Sequence, residues 1–169
     1  MKLSRSAFII VLVVINIALD QISKVLVRLN VAYNEVIPLI GDYFILTKVE
    51  NQGAFLGMGS NLNPTLRLIL LLVLPSVVLL FVLRYVFINK TIDKISLIGF
   101  CCIIGGGLAN LYDRIVYGEV TDFFHIDLGG VLRTGIFNVA DMSVMLGMGL
   151  LLFASFKTKK SETEKAEKS

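Results

Sequence analysis

Asp20 and Lys24 stand four residues apart inside a stretch that is otherwise almost wholly apolar. Asn110, Asp113 and Arg114 close a second apolar stretch, and Asn138 and Asp141 open another. Between these two lies a short connection carrying Glu119, Asp122 and Asp127. Ionisable groups inside long apolar runs are costly, and they mark either an internal ion pair or a site. Asp20 with Lys24 reads both ways, since acid before base at this spacing is the favourable helical order. Asp141 is hardest to read as structural, because no Lys or Arg lies within a turn of it on its own segment. A lone buried carboxylate takes up a proton, whereas two held close share one and split their pKa values. The ionised member then activates water while the protonated member polarises a carbonyl. That is hydrolytic chemistry, and it needs no metal, cofactor or acyl-enzyme. The candidate partners for Asp141 are Asp20, Asp113, Asp122 and Asp127, and spacing alone does not choose among them.

Other chemistries find little support. The single histidine, His125, excludes a His-rich metal site, and the adjacent Cys101 and Cys102 read as small buried hydrophobes. No dinucleotide fingerprint, phosphate loop or nucleic-acid motif is present. Neither a cofactor, a metal nor a nucleic-acid partner is therefore expected.

The elements that position these residues follow from hydropathy. The 169 residues are 56% hydrophobic, with a mean hydropathy of +0.80, and the apolar residues come in blocks. Blocks of roughly 20 residues are long enough to cross a bilayer as helices. Four qualify, at about 7–27, 68–88, 95–112 and 136–156. The first has basic residues ahead of it, as a secretory signal does, but Asp20 and Lys24 occupy the place of a cleavage region and it reads as a retained helix. The second carries Pro75, a tolerated kink. The third carries Gly105, Gly106 and Gly107, which suit close helix packing. Residues 157–169 form a polar, mixed-charge tail, expected to be disordered and cytoplasmic.

Placing both termini and the turn near Asn89 on one side gives that side ten of the sixteen Lys and Arg residues. By the positive-inside rule that side is cytoplasmic. The connection at 28–67 and that at 113–135 then face outward. Tyr43–Asn51, rich in β-branched and aromatic residues, predicts a strand or two in the first. Asp20, Lys24, Asn110, Asp113, Arg114, Asn138 and Asp141 all fall near the outer interface. Asn16, Asp20, Lys24 and Arg28 recur every four residues, a single polar stripe on the first helix. A transporter would leave polar groups at successive depths, and an assembly factor would need no second carboxylate; the inner halves of the last three spans are nearly apolar.

Four blocks carry a family resemblance: Asp20-Gln21-Ile22-Ser23-Lys24; Asn51-Gln52-Gly53-Ala54-Phe55; Asn110-Leu111-Tyr112-Asp113-Arg114 leading to Gly118-Glu119-Val120-Thr121-Asp122-Phe123; and Phe137-Asn138-Val139-Ala140-Asp141. In this order they resemble the lipoprotein signal peptidases, the type II signal peptidases of bacteria, over essentially the whole chain. The resemblance implies a membrane all-α fold: a four-helix transmembrane bundle in one peptidase domain, residues 1–156, with a small extracytoplasmic β-cradle and an interfacial helix. It implies Asp122 and Asp141 as the catalytic pair, a choice that spacing does not make. Asn51, Asn110, Arg114 and Asn138 would position substrate backbone or support the pair, with Asp113 among the supporting residues. Asp20 and Lys24 would hold the bundle and the polar lining. The implied reaction is hydrolysis of the peptide bond just ahead of a diacylglyceryl-modified cysteine in a prolipoprotein. The enzyme would be a monomer among the lipids of the bacterial cytoplasmic (inner) membrane, its active site at the outer face. A substrate anchored in the outer leaflet would present its scissile bond at that depth, which supplies much of the positioning.

Overall fold

The computed structural model describes residues 3–53, 59, 62–129 and 132–166. Four helices in it are long and apolar enough to cross a membrane, and each begins where a polar side chain can cap it. Helix α1, Arg5–Asn30, starts at Ser4, whose Oγ accepts from the Ala7 amide at 3.2 Å. Helix α2, Pro64–Ile88, starts at Asn63, whose Oδ1 accepts from the Leu66 amide at 2.8 Å, with proline at a position that has no amide to satisfy. Helix α3, Lys94–Val116, starts at Asp93, which accepts from Ile95 and Ser96. Helix α4, Val139–Ala166, follows Asn138. The caps extend the first three helices beyond their apolar cores by two to four residues at one or both ends.

Pro75 does not break α2. A π-helical turn at Ile69–Val73 precedes it and re-phases the backbone, and the Ser76 hydroxyl donates to the Leu72 carbonyl at 2.6 Å. At the opposite end of the helix the Arg5 guanidinium donates to the carbonyls of Val86 (2.8 Å) and Asn89 (2.7 Å). A cation there satisfies terminal carbonyls and complements the helix dipole.

Helix α3 is the hub. It is the most buried of the four, and α1, α2 and α4 all pack on it. Its three successive glycines serve three different neighbours. A Cβ at Gly105 would lie 2.5 Å from the Asn16 Cβ on α1, one at Gly106 would strike the Ala140 carbonyl on α4, and one at Gly107 would lie 2.8 Å from Leu79 on α2. Lower down, Gly99 and Gly147 face each other, each in the way of a Cβ on the other. Without a hydrophobic force between helices in lipid, such backbone approach is what association rests on. Cys101 and Cys102 are free and buried within this packing.

A three-stranded antiparallel sheet lies across one end of the bundle. Its strands are β1, Val36–Ile40; β2, Phe44–Asn51; and β3, Val120–Ile126, in that order. Strand β2 matches the strand predicted at 43–51. Strand β3 forms from a segment that the sequence reading treats as an acidic connection, because its alternation is masked by the nearby acids. Phe123, 1% exposed, plugs the sheet onto Val27 of α1 and Val31 just after it, with Val139 of α4 alongside.

Two expectations change. Helix α4 begins at Val139 rather than near 136, because Phe137 bridges to Phe124 of β3 and Asn138 is the cap. The tail expected to be disordered from residue 157 continues α4 as helix to Ala166. The interfacial helix expected in the first connection is left to the stretch after β2, where residues 54–58, 60 and 61 lie outside the described residues.

Candidate active site

The site is built where the ends of α1, α3 and α4 meet β3. Asn138 and Asp141 form a reciprocal cap at the start of α4. The Asn138 Oδ1 accepts from the Asp141 amide at 2.9 Å, and the Asp141 Oδ2 accepts from the Asn138 amide at 3.2 Å. This is the capping-box arrangement with Asn and Asp in its two places. It fixes Asp141 at the positive end of the helix. Strand β3 brings Asp122 to the same point, where the Asn138 Nδ2 donates to its Oδ1 at 2.6 Å. One asparagine therefore touches both carboxylates.

The remaining oxygens are also held by amides. The Asn51 Nδ2, from the end of β2, donates to the Asp122 Oδ2 at 2.8 Å. The Asn110 Nδ2, on α3, donates to the Asp141 Oδ1 at 3.0 Å. Asp122 is 3% exposed. Burial, with the charge of Asp141 beside it, pushes its carboxyl up to about 7 against the pull of Asn51 and Asn138.

Asp20 and Asp113 gather separately. Lys24, fully buried, places its ammonium 2.7 Å from a carboxylate oxygen of each. The same ammonium donates to the Asn110 Oδ1 at 2.9 Å, which forces the Asn110 amide to turn its NH2 toward Asp141. The other oxygen of Asp20 accepts from the Ala140 amide at 2.8 Å, in the first turn of α4. Gln21 donates to Asp113 at 3.0 Å, and Arg28 reaches Asp113 at 3.3 Å while its Nε donates to the Thr121 Oγ1 at 2.7 Å. Thr121 in turn donates to Glu50 at 2.9 Å, a carboxyl raised by its burial. Arg114 donates to the carbonyls of Gly53 (2.8 Å) and Asn110 (3.3 Å), tying the backbone after β2 to α3.

The structure thus brings together Asp122, Asp141, Asn51, Asn110 and Asn138, with Asp20, Lys24, Asp113 and Arg114 in contact behind or beside them. Asp127, a candidate partner of Asp141, lies beyond the far end of β3, where its Oδ1 accepts from Gly129 in a tight turn. It is remote because five residues of extended chain, at about 3.3 Å each, carry it away from Asp122. Asn138 caps α4 rather than lying within its first turns. Gln21 and Thr121 are residues of the network that the sequence reading does not single out. Gln21 sits one step off the Asn16–Asp20–Lys24–Arg28 stripe, and a lone threonine carries no signal.

A helical bundle with its polar site at one end under a small sheet is the architecture of a multi-pass membrane enzyme. Two solved bacterial membrane enzymes share this fold: one superposes with a TM-score of 0.79 at 22% identity, covering 91% of this chain and 90% of that one, the other with 0.76 at 23% identity, covering 89% and 93%. The chain belongs to the signal peptidase II family, whose model, described as signal peptidase (SPase) II, matches residues 11–157. The lipoprotein signal peptidase of Moorella thermoacetica is 34% identical over 142 residues, covering 84% of this chain and 88% of that protein. That of Aquifex aeolicus is 38% identical over 142 residues (83% and 81%), and that of Borrelia hermsii 31% identical over 171 (97% and 99%).

Proposed function

We propose that this lipoprotein signal peptidase is an aspartic endopeptidase that cleaves diacylglyceryl-modified prolipoproteins just before the lipidated cysteine, with Asp122 and Asp141 as its catalytic pair. The observation that carries the reading is Asn138, which binds both carboxylates, while Asn51 and Asn110, their further hydrogen-bond donors, are also neutral amides. Such donors orient a carboxylate without neutralising it. The pair shares one proton, with Asp122, pushed up to about 7, as its donor in this reading and Asp141 as the base.

In this mechanism Asp141 takes a proton from water as its oxygen attacks the scissile carbonyl carbon, and Asp122 gives its proton to the carbonyl oxygen. Collapse of the tetrahedral diol returns a proton to Asp122, breaks the C–N bond, and moves the proton on Asp141 to the leaving amine. Asn51 and Arg114, at the mouth between β2 and α3, bind the substrate backbone; Asn110 holds Asp141. Asp20, Lys24 and Asp113 form the rigid base of the site. No metal or cofactor enters the scheme. Residues 1–156 form the peptidase unit and act as a monomer in the bacterial inner membrane. The Lys and Arg distribution supports cytoplasmic termini and an outer-face site.

The test is processing of a diacylglyceryl prolipoprotein by purified Asp122→Asn and Asp141→Asn enzymes in lipid. Each is expected to lose at least about 1,000-fold in rate while keeping the wild-type unfolding midpoint. Full activity in either sinks the pair.

A further inference from the structure

The sheet's far end is apolar where water-facing edges are normally charged. At that end Leu39, Ile40 and Tyr43, at the β1–β2 turn, are 46%, 66% and 60% exposed, and Leu128 and Leu132, in the turn after β3, are 60% and 70% exposed. The two turns are tied together, since the Asp127 amide donates to the Tyr43 carbonyl at 2.8 Å and Leu128 and Leu132 are joined by a backbone hydrogen bond at 2.9 Å. An edge strand with Val36, Leu39 and Ile40 outward is an aggregation hazard unless something covers it.

The position of this end says what covers it. The other end of the sheet, Asn51 and Val120, lies over α3, where Arg114 grips Gly53. The middle, at Leu46, Phe123 and Phe124, rests on Val27 of α1, Val31 just after it and Val139 of α4. The strands therefore run across the bundle's end, and Tyr43 and Leu128 lie beyond the helices at a strand rise of about 3.3 Å per residue. What borders the helices there is bilayer, and the exposed Leu26 and Leu29 of α1 continue the apolar surface toward Tyr33 and Val36. We propose that the β1–β2 turn at 39–43, together with Leu128 and Leu132 after β3, forms a membrane-contacting tip that dips into the headgroup–acyl boundary beside the bundle. With one end clamped on α3 and the other in lipid, the sheet keeps β3 at a fixed depth. Asp42 stands at the β1–β2 turn, and Arg133, next to Leu132, forms a β-bridge with Asp127, whose side chain is bound into its own turn; Leu39, Ile40, Tyr43, Leu128 and Leu132 supply the apolar contact.

The chain has no tryptophan, so a single introduced indole reports cleanly. The full-length Tyr43→Trp and Leu132→Trp enzymes would be reconstituted in phosphatidylethanolamine–phosphatidylglycerol vesicles containing a phospholipid brominated near the carbonyl end of its chains. The expected result is at least twofold quenching by the brominated lipid, little quenching by aqueous iodide, and no loss of lipid quenching at high salt. Strong iodide quenching with none from the lipid overturns the proposal, as does a shielded indole that only a soluble protein partner produces. If one variant does not fold, the other gives the same readout. Neither depends on cleavage, so the catalytic reading stands or falls separately.

Discussion

Two pairs of aspartates sit side by side in this molecule and differ in what binds them. Asp20 and Asp113 share the ammonium of Lys24 at 2.7 Å each, and Arg28 adds a second cation to Asp113. Asp122 and Asp141 receive hydrogen bonds from Asn51, Asn138 and Asn110. A carboxylate paired at 2.7 Å with a buried ammonium is held in place by an ion pair. A carboxylate held by amides keeps its orientation and remains free to titrate. The same residue type at the same end of a bundle is, on our reading, structural in one pair and catalytic in the other.

The sharpest way to break the contrast is to substitute across it. Asp122→Asn should cost at least about 1,000-fold in processing rate with an unchanged unfolding midpoint, while Asp113→Asn should lower the midpoint and leave the surviving folded enzyme able to cleave. A stable but inactive Asp113→Asn enzyme would erase the distinction. Next in size, Lys24→Ala leaves two buried carboxylates without their cation, and removing one partner of a buried pair costs about 3–5 kcal/mol. Thermal unfolding in detergent checks this; an enzyme of normal stability with no activity would instead place Lys24 in the chemistry. Gly106→Ala pushes a methyl into the Ala140 carbonyl, one residue from Asp141, and should cost about 1–3 kcal/mol as α3 and α4 separate.

The pH dependence is a subtler probe. Asp122 is raised, chiefly by burial, to about 7. The folded state therefore keeps a proton that the unfolded chain releases in the ordinary carboxylate range. Through this group stability is greatest at low pH, falls as pH rises toward about 7, and changes no further above it. Activity that needs the shared proton should fall above about 7. Asn51→Ala removes a hydrogen bond that holds the Asp122 pKa down, so the alkaline limb of kcat/KM should move upward. A limb that stays in place would detach it from Asp122. Smallest of all, Thr121→Val removes the hydroxyl between Arg28 and Glu50 and should lower stability by about 1 kcal/mol.

The four spans and β2 were legible because hydropathy and β-branched runs are local signals. The depth of Asp20, Asn110 and Asp141 was legible too, since helical rise converts position into height. Strand β3 was not, because VTDFFHI lies among Glu119, Asp122 and Asp127, whose charges suggest a loop until β2 supplies a partner. The separation of the two aspartate pairs was beyond the sequence for a different reason. Asp113 and Asp122 are nine residues apart and equally acidic, and only the path of the chain sends one to Lys24 and the other to Asn138. Asn138 itself was visible as a polar residue, while its capping geometry depends on Phe137 stopping against β3.

The glycine triplet of α3 has a consequence for how the protein is made. Successive residues of a helix point about 100° apart, so Gly105, Gly106 and Gly107 open three seats around one shaft, for α1, α4 and α2. Helix α2 finds its packing chiefly on α3, so during synthesis the first two spans enter the bilayer before their common partner exists. Insertion of the third span supplies the surface on which the other three gather. A ribosome stalled before it would leave α1 and α2 as independent lipid-solvated rods, with the carboxylate of Asp20 and the ammonium of Lys24 left to each other until α3 arrives.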